Sequence, residues 1–378
     1  MKSTFRNILL TLCAISMMAG LSWAGTLKVG VQAPITGDYA NEGQGIENAA
    51  RLVADEFNAN GGILGQQIEV IPCDDQGTAM AAAICAKDLV NKGVSFVVGS
   101  YTSTCAAAAQ KTYYNAGVLQ TSDGTSDALI SEDNHYWTFL RNSFPNSAEA
   151  DYAAEYMINV KNYKRIVVVS DFSSYATGLA ESVIDALKAA GGNVVAYKKI
   201  KAKSQNFTPV LTSIKSKNPD AIFFAGYYSD GGQLRAQQVA LRIDADFIGG
   251  DANDNVDFAK LAGSAAEGAF IINVPTPEML PYDIAKTFLK NYKTTYGTMP
   301  PSVWTLMNAD GMRIILHAMK EAKTTDTKKV FEYLMAMDEP LAGVTGPLQF
   351  AKDGNRVGSS YMTFEIKADK SYKVVHAQ

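Results

Sequence analysis

Histidine is scarce in this 378-residue chain: there are three, His135, His317 and His376, all far apart. The four cysteines include no C-x-x-C pair, so nothing in the sequence offers the ligand spacing of a zinc site. Charge is sparse too, with 34 Lys and Arg against 38 Asp and Glu, together 19% of residues. That balance excludes a basic nucleic-acid arm, and 47% apolar content excludes intrinsic disorder and a multi-span membrane protein alike. The motifs of common enzymes are missing as well. There is no G-x-S-x-G elbow, no P-loop and no G-x-G-x-x-G, and no histidine falls at a predicted strand end to serve a serine as base. No enzymatic activity, metal or cofactor is expected.

Charge is absent altogether from Asn7 to Leu27. Lys2 and Arg6 precede the apolar stretch Ile8 to Leu21, and Ser22-Trp23-Ala24 supplies small residues at the cleavage positions. This reads as a secretory signal peptide cleaved after Ala24, leaving an acidic exported protein. Thr11, Ser16, Gly20 and Ser22 dilute the stretch as an anchor, and Leu12 before Cys13 makes a poor lipoprotein signal. Three cysteines remain, Cys73, Cys85 and Cys105, of which two can pair in an oxidising compartment. The spacing does not decide which.

What is present is a βαβ rhythm. Strands are predicted at Thr26–Val31, Gln67–Pro72, Ser95–Val98 and Val118–Thr121, with helices at Gly43–Asn60, Ala79–Asn91 and Thr104–Asn115 between them. The rhythm restarts with helix Ser147–Val160, strand Arg165–Ser170, helix Tyr175–Ala190, strand Val194–Ile200, helix Thr208–Ser216 and strand Ala221–Ala225. Helix Gly231–Leu241 and strands Asp246–Gly249 and Gly268–Asn273 continue it. Helices Ile284–Tyr296, Val303–Ala322 and Thr327–Met337 follow, then strands Phe350–Asp353 and Gly358–Ile366. Such alternation predicts an α/β protein of two doubly wound parallel sheets, and the absence of a low-complexity linker predicts lobes joined by several short crossings.

In open α/β sheets ligands sit beyond the carboxyl ends of the strands. The turn Gly99-Ser100-Tyr101-Thr102-Ser103-Thr104 enters a helix whose unpaired N–H groups and dipole suit a carboxylate, with Ser103 or Thr104 adding a hydroxyl. The alternative is a plain helix cap, in which the hydroxyl serves its own helix. A second hydroxyl-bearing turn, Ser122-Asp123-Gly124-Thr125-Ser126, follows the next strand and favours an anion site. In the second half, Asp251 after Gly249-Gly250 can accept from an ammonium, and Tyr175 and Tyr227 are either packing aromatics or cleft walls. Asp251-Ala252-Asn253-Asp254-Asn255 is no calcium loop, because Val256 and Ala262 stand where Gly and Glu are required.

These positions together resemble the periplasmic leucine/isoleucine/valine-binding protein family, type I periplasmic binding proteins of ABC importers. The resemblance spans the chain beyond the leader. It is carried by Val29-Gly30-Val31 through Thr36-Gly37 and Gly43, Asn58 with Gly61-Gly62-Ile63 and Gly65, Asp74-Asp75 and Val97-Val98-Gly99. Asp171 with Tyr175 and Gly178, Gly226-Tyr227-Tyr228 and Ala266-Glu267-Gly268 complete it. It implies a clamshell crossed three times, near Pro145, Val274 and Arg356, with one lobe from 25–145 and 275–355 and the other from 146–274 and 356–378. It also implies a monomer that binds an amino acid between its lobes and delivers it to permease subunits in the inner membrane, with no nucleic-acid partner. The ligand carboxylate is implied at Ser103, Gly124 and Ser126, the ammonium at Asp251, with Tyr175 and Tyr227 closing over it; Tyr101, Thr102 and Thr125 stand in the same turns.

The chain departs from that family at Glu42 and Ser302, where aromatics wall a leucine pocket, at Tyr101 for a Leu and at Asp123 for a Pro. A carboxylate in an apolar pocket is costly unless paired, so Glu42 predicts a polar or cationic ligand side chain rather than leucine. The family's cysteine pair falls on Gly77 and Thr102 here; if a bridge forms, it is expected between Cys85 and Cys105. Two other functions fit the same reading: a sensor of this architecture that feeds a receptor or an amide-responsive regulator, and an exported hydrolase using Ser103.

Overall fold

A computed structural model describes residues 25–378; the predicted leader lies outside the described residues. The first half builds strands β1 (Thr26–Ala33), β2 (Gln67–Asp74), β3 (Phe96–Val98), β4 (Leu119–Ser122) and β5 (Phe139–Arg141). Helices α1 (Ala40–Ala59), α2 (Ala79–Asn91) and α3 (Ser103–Ala116) connect the first four of these. Every pairing is parallel, in the order β2-β1-β3-β4-β5. After α4 (Asn146–Glu155) the pattern repeats with β6 (Ile166–Ser170), α5 (Ser174–Ala189), β7 (Val194–Lys199), α6 (Thr208–Lys215), β8 (Ala221–Ala225), α7 (Tyr228–Ala240), β9 (Asp246–Gly249), α8 (Val256–Ala262) and β10 (Phe270–Asn273). Their parallel order is β7-β6-β8-β9-β10, so the chain is wound the same way twice.

Helices α9 (Asp283–Tyr296), α10 (Val303–Glu321) and α11 (Thr327–Met335) return to the first sheet, where α10 packs on α1 and β4. A hairpin of β11 (Leu341–Gly343) and β12 (Gly346–Leu348) follows, and β13 (Met362–Ile366) and β14 (Tyr372–Ala377) extend the second sheet antiparallel to seven strands. No helix among the described residues is long and apolar enough to cross a membrane.

The local reasons are legible. Ile166-Val167-Val168-Val169 is buried along its whole length because helices cover both faces of a parallel sheet. Burial of each such side chain contributes about 1.5–3 kcal/mol. Helix α1 turns Ile46, Ala49, Ala50 and Val53 to the core and ends at Gly61 and Gly62, whose positive φ angles of 92° and 71° let Gly62 N–H return to Phe57 O.

Several predicted elements need correcting. Phe350–Asp353 forms no strand, only a bridge from Phe350 to Arg356. The predicted helix through Val160 ends as a wide turn at Tyr156–Val160. Strands β5, β11 and β12 are too short to show periodicity, and β14 is a half-exposed edge strand. Helix α1 starts at Ala40, which brings Glu42 into its first turn.

The disulfide also differs from the expectation: it joins Cys73 to Cys85, with Cα atoms 5.7 Å apart, and Cys105 is a free buried thiol. Cys85 lies on the buried side of α2, back against the end of β2, whereas Cys105 points into the core under the start of α3. Burial pushes the Cys105 thiol well above its usual range. Loop closure of this length is worth about 2–3 kcal/mol. Cys73→Ser should therefore lower the urea midpoint correspondingly, while native protein should resist alkylation at Cys105.

Candidate functional site

The carboxyl ends of the two sheets face each other, and the turns leaving them enclose a cavity. It is small, about 10 Å³, and is lined by Tyr101, Ser103, Asp123, Thr125, Tyr175, Tyr227, Asp251, Ala252 and Trp304. The turn after β3 supplies Tyr101 and α3 starts with Ser103; the turn after β4 supplies Asp123 and Thr125; and α10 reaches across with Trp304. From the second sheet, Tyr175 lies in the first turn of α5, Tyr227 just before α7 and Asp251 just after β9.

The closed arrangement is held by contacts between the two sides. Asn255 Nδ2 donates to Glu42 at 3.0 Å, and Asn41 Nδ2 donates to Asn255 Oδ1 and Asp257 Oδ2 at 3.2 and 2.9 Å. Lys203 pairs with Asp38 at 3.0 Å, and Ser174 N–H donates to Thr104 Oγ1 at 3.2 Å. Tyr227 packs against Tyr39 and Tyr175, with ring centroids 4.7 and 5.1 Å away.

The polar lining is unbalanced. Both Asp251 carboxylate oxygens, Asp123 Oδ1, Tyr101 Oη and Trp304 Nε1 are buried without a hydrogen-bond partner. Buried polar groups are ordinarily satisfied, so this convergence makes the cavity the candidate site for a polar ligand. No lysine, arginine or histidine lines the cavity. Glu149, in the first turn of α4, stands behind Asp251 and accepts its backbone N–H at 3.0 Å. Burial raises both carboxyls, and the Asp251 charge raises Glu149 further, so the pair resists carrying two charges. Asp123 is likewise pushed well above the usual carboxylate range by burial and by the Glu42 charge, against a backbone hydrogen bond at Asp123 itself and one from Asn308 Nδ2 to Oδ2 at 2.7 Å.

Of the ten residues expected from sequence, Tyr101, Ser103, Thr125, Tyr175, Tyr227 and Asp251 line this cavity and four stand behind it. Thr102 caps α3, accepting Cys105 N–H at 3.2 Å, so the cap alternative falls on this residue. Gly124 N–H donates to Ser122 Oγ and Ser126 N–H to Ser103 Oγ, each at 3.1 Å. Those two backbone donors are thus spent within the protein, which leaves the hydroxyls of these turns for an anion. Glu42 does not reach the cavity. Ser302 Oγ and Thr305 Oγ1 donate to it at 2.8 and 2.7 Å alongside Asn255, which satisfies a carboxylate that sequence reasoning left unpaired. Asp123, Trp304 and Glu149 are the residues that reasoning did not place in the site. Asp123 was visible as a departure in a strand-end turn, while nothing local distinguishes the other two.

The sequence profile described as "Periplasmic binding protein" matches residues 26–371. The chain is 26% identical to the leucine-specific-binding protein of Salmonella typhimurium, covering 99% of this chain and 100% of that one. It is 28% identical to the Leu/Ile/Val-binding protein of Escherichia coli K12, with 96% of each covered. Its structure is similar to that of the branched-chain amino acid transporter substrate binding protein of Streptococcus pneumoniae in complex with isoleucine. The TM-score is 0.83 at 30% identity, over 93% of this chain and 99% of the other. A solute binding protein from R. palustris in complex with benzoate gives the same TM-score of 0.83 at 20% identity, over 93% and 96% of the chains, a likeness of fold alone.

Proposed function

This chain belongs to the periplasmic binding protein family and has the type I fold, and from that premise we propose that it is the solute-binding component of an ABC-type amino-acid importer. It works as an exported monomer, without enzymatic activity, and passes its solute to membrane permease subunits. The observation that carries this reading is the buried Asp251 carboxylate, aimed without a partner into a cavity between two lobes that holds no basic side chain. An α-ammonium answers it. The carboxylate of the same molecule then meets the Ser103 and Thr125 hydroxyls on the opposite lobe, so the solute contacts both halves only when they are closed, and binding favours closure by that difference. The chain bends between the lobes where β5 gives way to α4, after β10, and near Arg356, whose N–H donates to Arg141 O at 3.0 Å.

The relatives are named for leucine, isoleucine and valine. In this chain the polar or cationic side chain expected of the ligand now rests on Asp123 and Trp304 rather than on Glu42, which is satisfied elsewhere. An alkyl side chain would leave Asp123 Oδ1 and Trp304 Nε1 buried and unpaired, at a cost of about 1–3 kcal/mol each. A thermal-shift panel of the free amino acids tests the reading. At a hundred times its Kd, a solute that binds only the folded protein adds about 2.7 kcal/mol of stability and raises Tm. A panel in which no amino acid moves Tm would refute it.

A further inference from the structure

Trp304 and Asn308 lie one turn apart on α10, and Asn308 Nδ2 bridges Trp304 O at 3.0 Å and Asp123 Oδ2 at 2.7 Å. The bond to Asp123 holds Oδ2 and leaves Oδ1 free, with Trp304 Nε1 and Tyr101 Oη unpartnered in the same cavity wall. All three residues are at least nine-tenths buried: Asp123 is 2%, Trp304 4% and Tyr101 5% exposed. The free atoms differ in kind. Oδ1 of an ionised carboxylate only accepts, an indole N–H only donates, and a phenol does either.

We propose that Asp123 and Trp304 form a subsite for the side-chain amide of an amino acid, whose N–H donates to Asp123 Oδ1 and whose C=O accepts from Trp304 Nε1. Other end groups fail the count. An alkyl group satisfies none of the three atoms, and an ammonium serves Asp123 and Tyr101 but leaves the indole N–H alone. A carboxylate accepts from the indole but either meets an ionised Asp123 charge to charge or must hold Asp123 protonated. A planar amide is both donor and acceptor, and it brings no charge of its own to the wall. Burial that holds the Asp123 proton more tightly acts on the empty site, and a donor placed on Oδ1 opposes it. This inference rests on the proposal that an amino acid binds between the lobes, and it adds which one.

Isothermal titration of the full exported chain with L-asparagine, L-glutamine and L-citrulline, against L-leucine and L-lysine, tests it. An amide-bearing probe should bind at least about tenfold tighter than L-leucine and L-lysine. Trp304→Phe, which removes the N–H donor together with one ring of the indole, should weaken that probe about 2–10-fold more than it weakens L-leucine. Asp123→Leu should weaken it about 10–150-fold and improve L-leucine. Circular dichroism checks that each variant is folded, and should Asp123→Leu not fold, Trp304→Phe and Asp123→Asn decide. The inference is overturned if L-leucine or L-lysine binds best and neither substitution changes the ranking, even where Asp251→Asn abolishes binding of that best probe. If no amino acid binds, or binding ignores Asp251→Asn, the amino-acid reading itself falls, and this inference with it.

Discussion

Asp251→Ala is expected to weaken capture of the natural solute by about 3–5 kcal/mol, the range for stranding one member of a buried charged pair. The physical reason is the composition of the cavity wall. No basic group shares the space with Asp251, and only the neighbouring Tyr175 and Glu149 offer its carboxylate a donor, so a solute cation meets no competing positive charge there. Removing it leaves that cation desolvated between the lobes with nothing of opposite sign in contact. Glu149 limits the loss, because without Asp251 beside it the remaining carboxyl ionises more readily. Asp251→Ala combined with Glu149→Gln should accordingly bind more weakly than Asp251→Ala alone. Isothermal titration reads both, and wild-type affinity in the single variant would contradict the role.

The second large effect is on closure of the empty protein, and it runs with pH. Burial pushes the Glu42 carboxyl up to about 7, against hydrogen bonds from Thr305, Ser302 and Asn255. Asn255 comes from the other lobe, so opening removes one donor and admits water. A carboxyl with a raised pKa holds its proton more tightly when buried. The closed form is therefore favoured below the ordinary carboxylate range and loses that advantage as pH rises through about 7. The full shift is worth on the order of 3 kcal/mol, and closure carries only the part of it that opening relieves. Asp123, raised by burial and by the Glu42 charge, acts in the same direction. Small-angle scattering of the empty protein should show a smaller radius of gyration at pH 5 than at pH 8. Glu42→Gln should flatten that dependence without abolishing it. A radius independent of pH, or an unchanged profile in Glu42→Gln, would show that Glu42 does not control closure.

Much of the architecture is legible in the sequence because parallel sheets covered on both faces need unbroken apolar strands, as in Ile166-Val167-Val168-Val169. Asp251, Tyr175, Tyr227 and Ser103 were legible for a related reason: once the winding is known, the residues after each strand must face the cleft. Trp304 was not, because it lies in a long helix that returns to the first sheet from distant sequence, and only the packing of α10 on α1 and β4 turns it toward the cavity. Glu149 reads locally as an acid favoured by the positive end of its own helix. Glu42 misled because its partners Ser302, Thr305 and Asn255 are more than 200 positions away. The cysteines misled for want of a register: which face of α2 carries Cys85 is decided by the sheet beneath it.

The account turns on a nitrogen of the solute sitting against Asp251 while the lobes are shut. A crystal structure of the protein with the amino acid that most raises its Tm measures this directly. The expected result is one molecule in the cavity between the sheets, its α-nitrogen within hydrogen-bond distance of Asp251 and its carboxylate on Ser103 and Thr125. A molecule bound elsewhere, or bound with Asp251 turned to bulk water, would contradict the account.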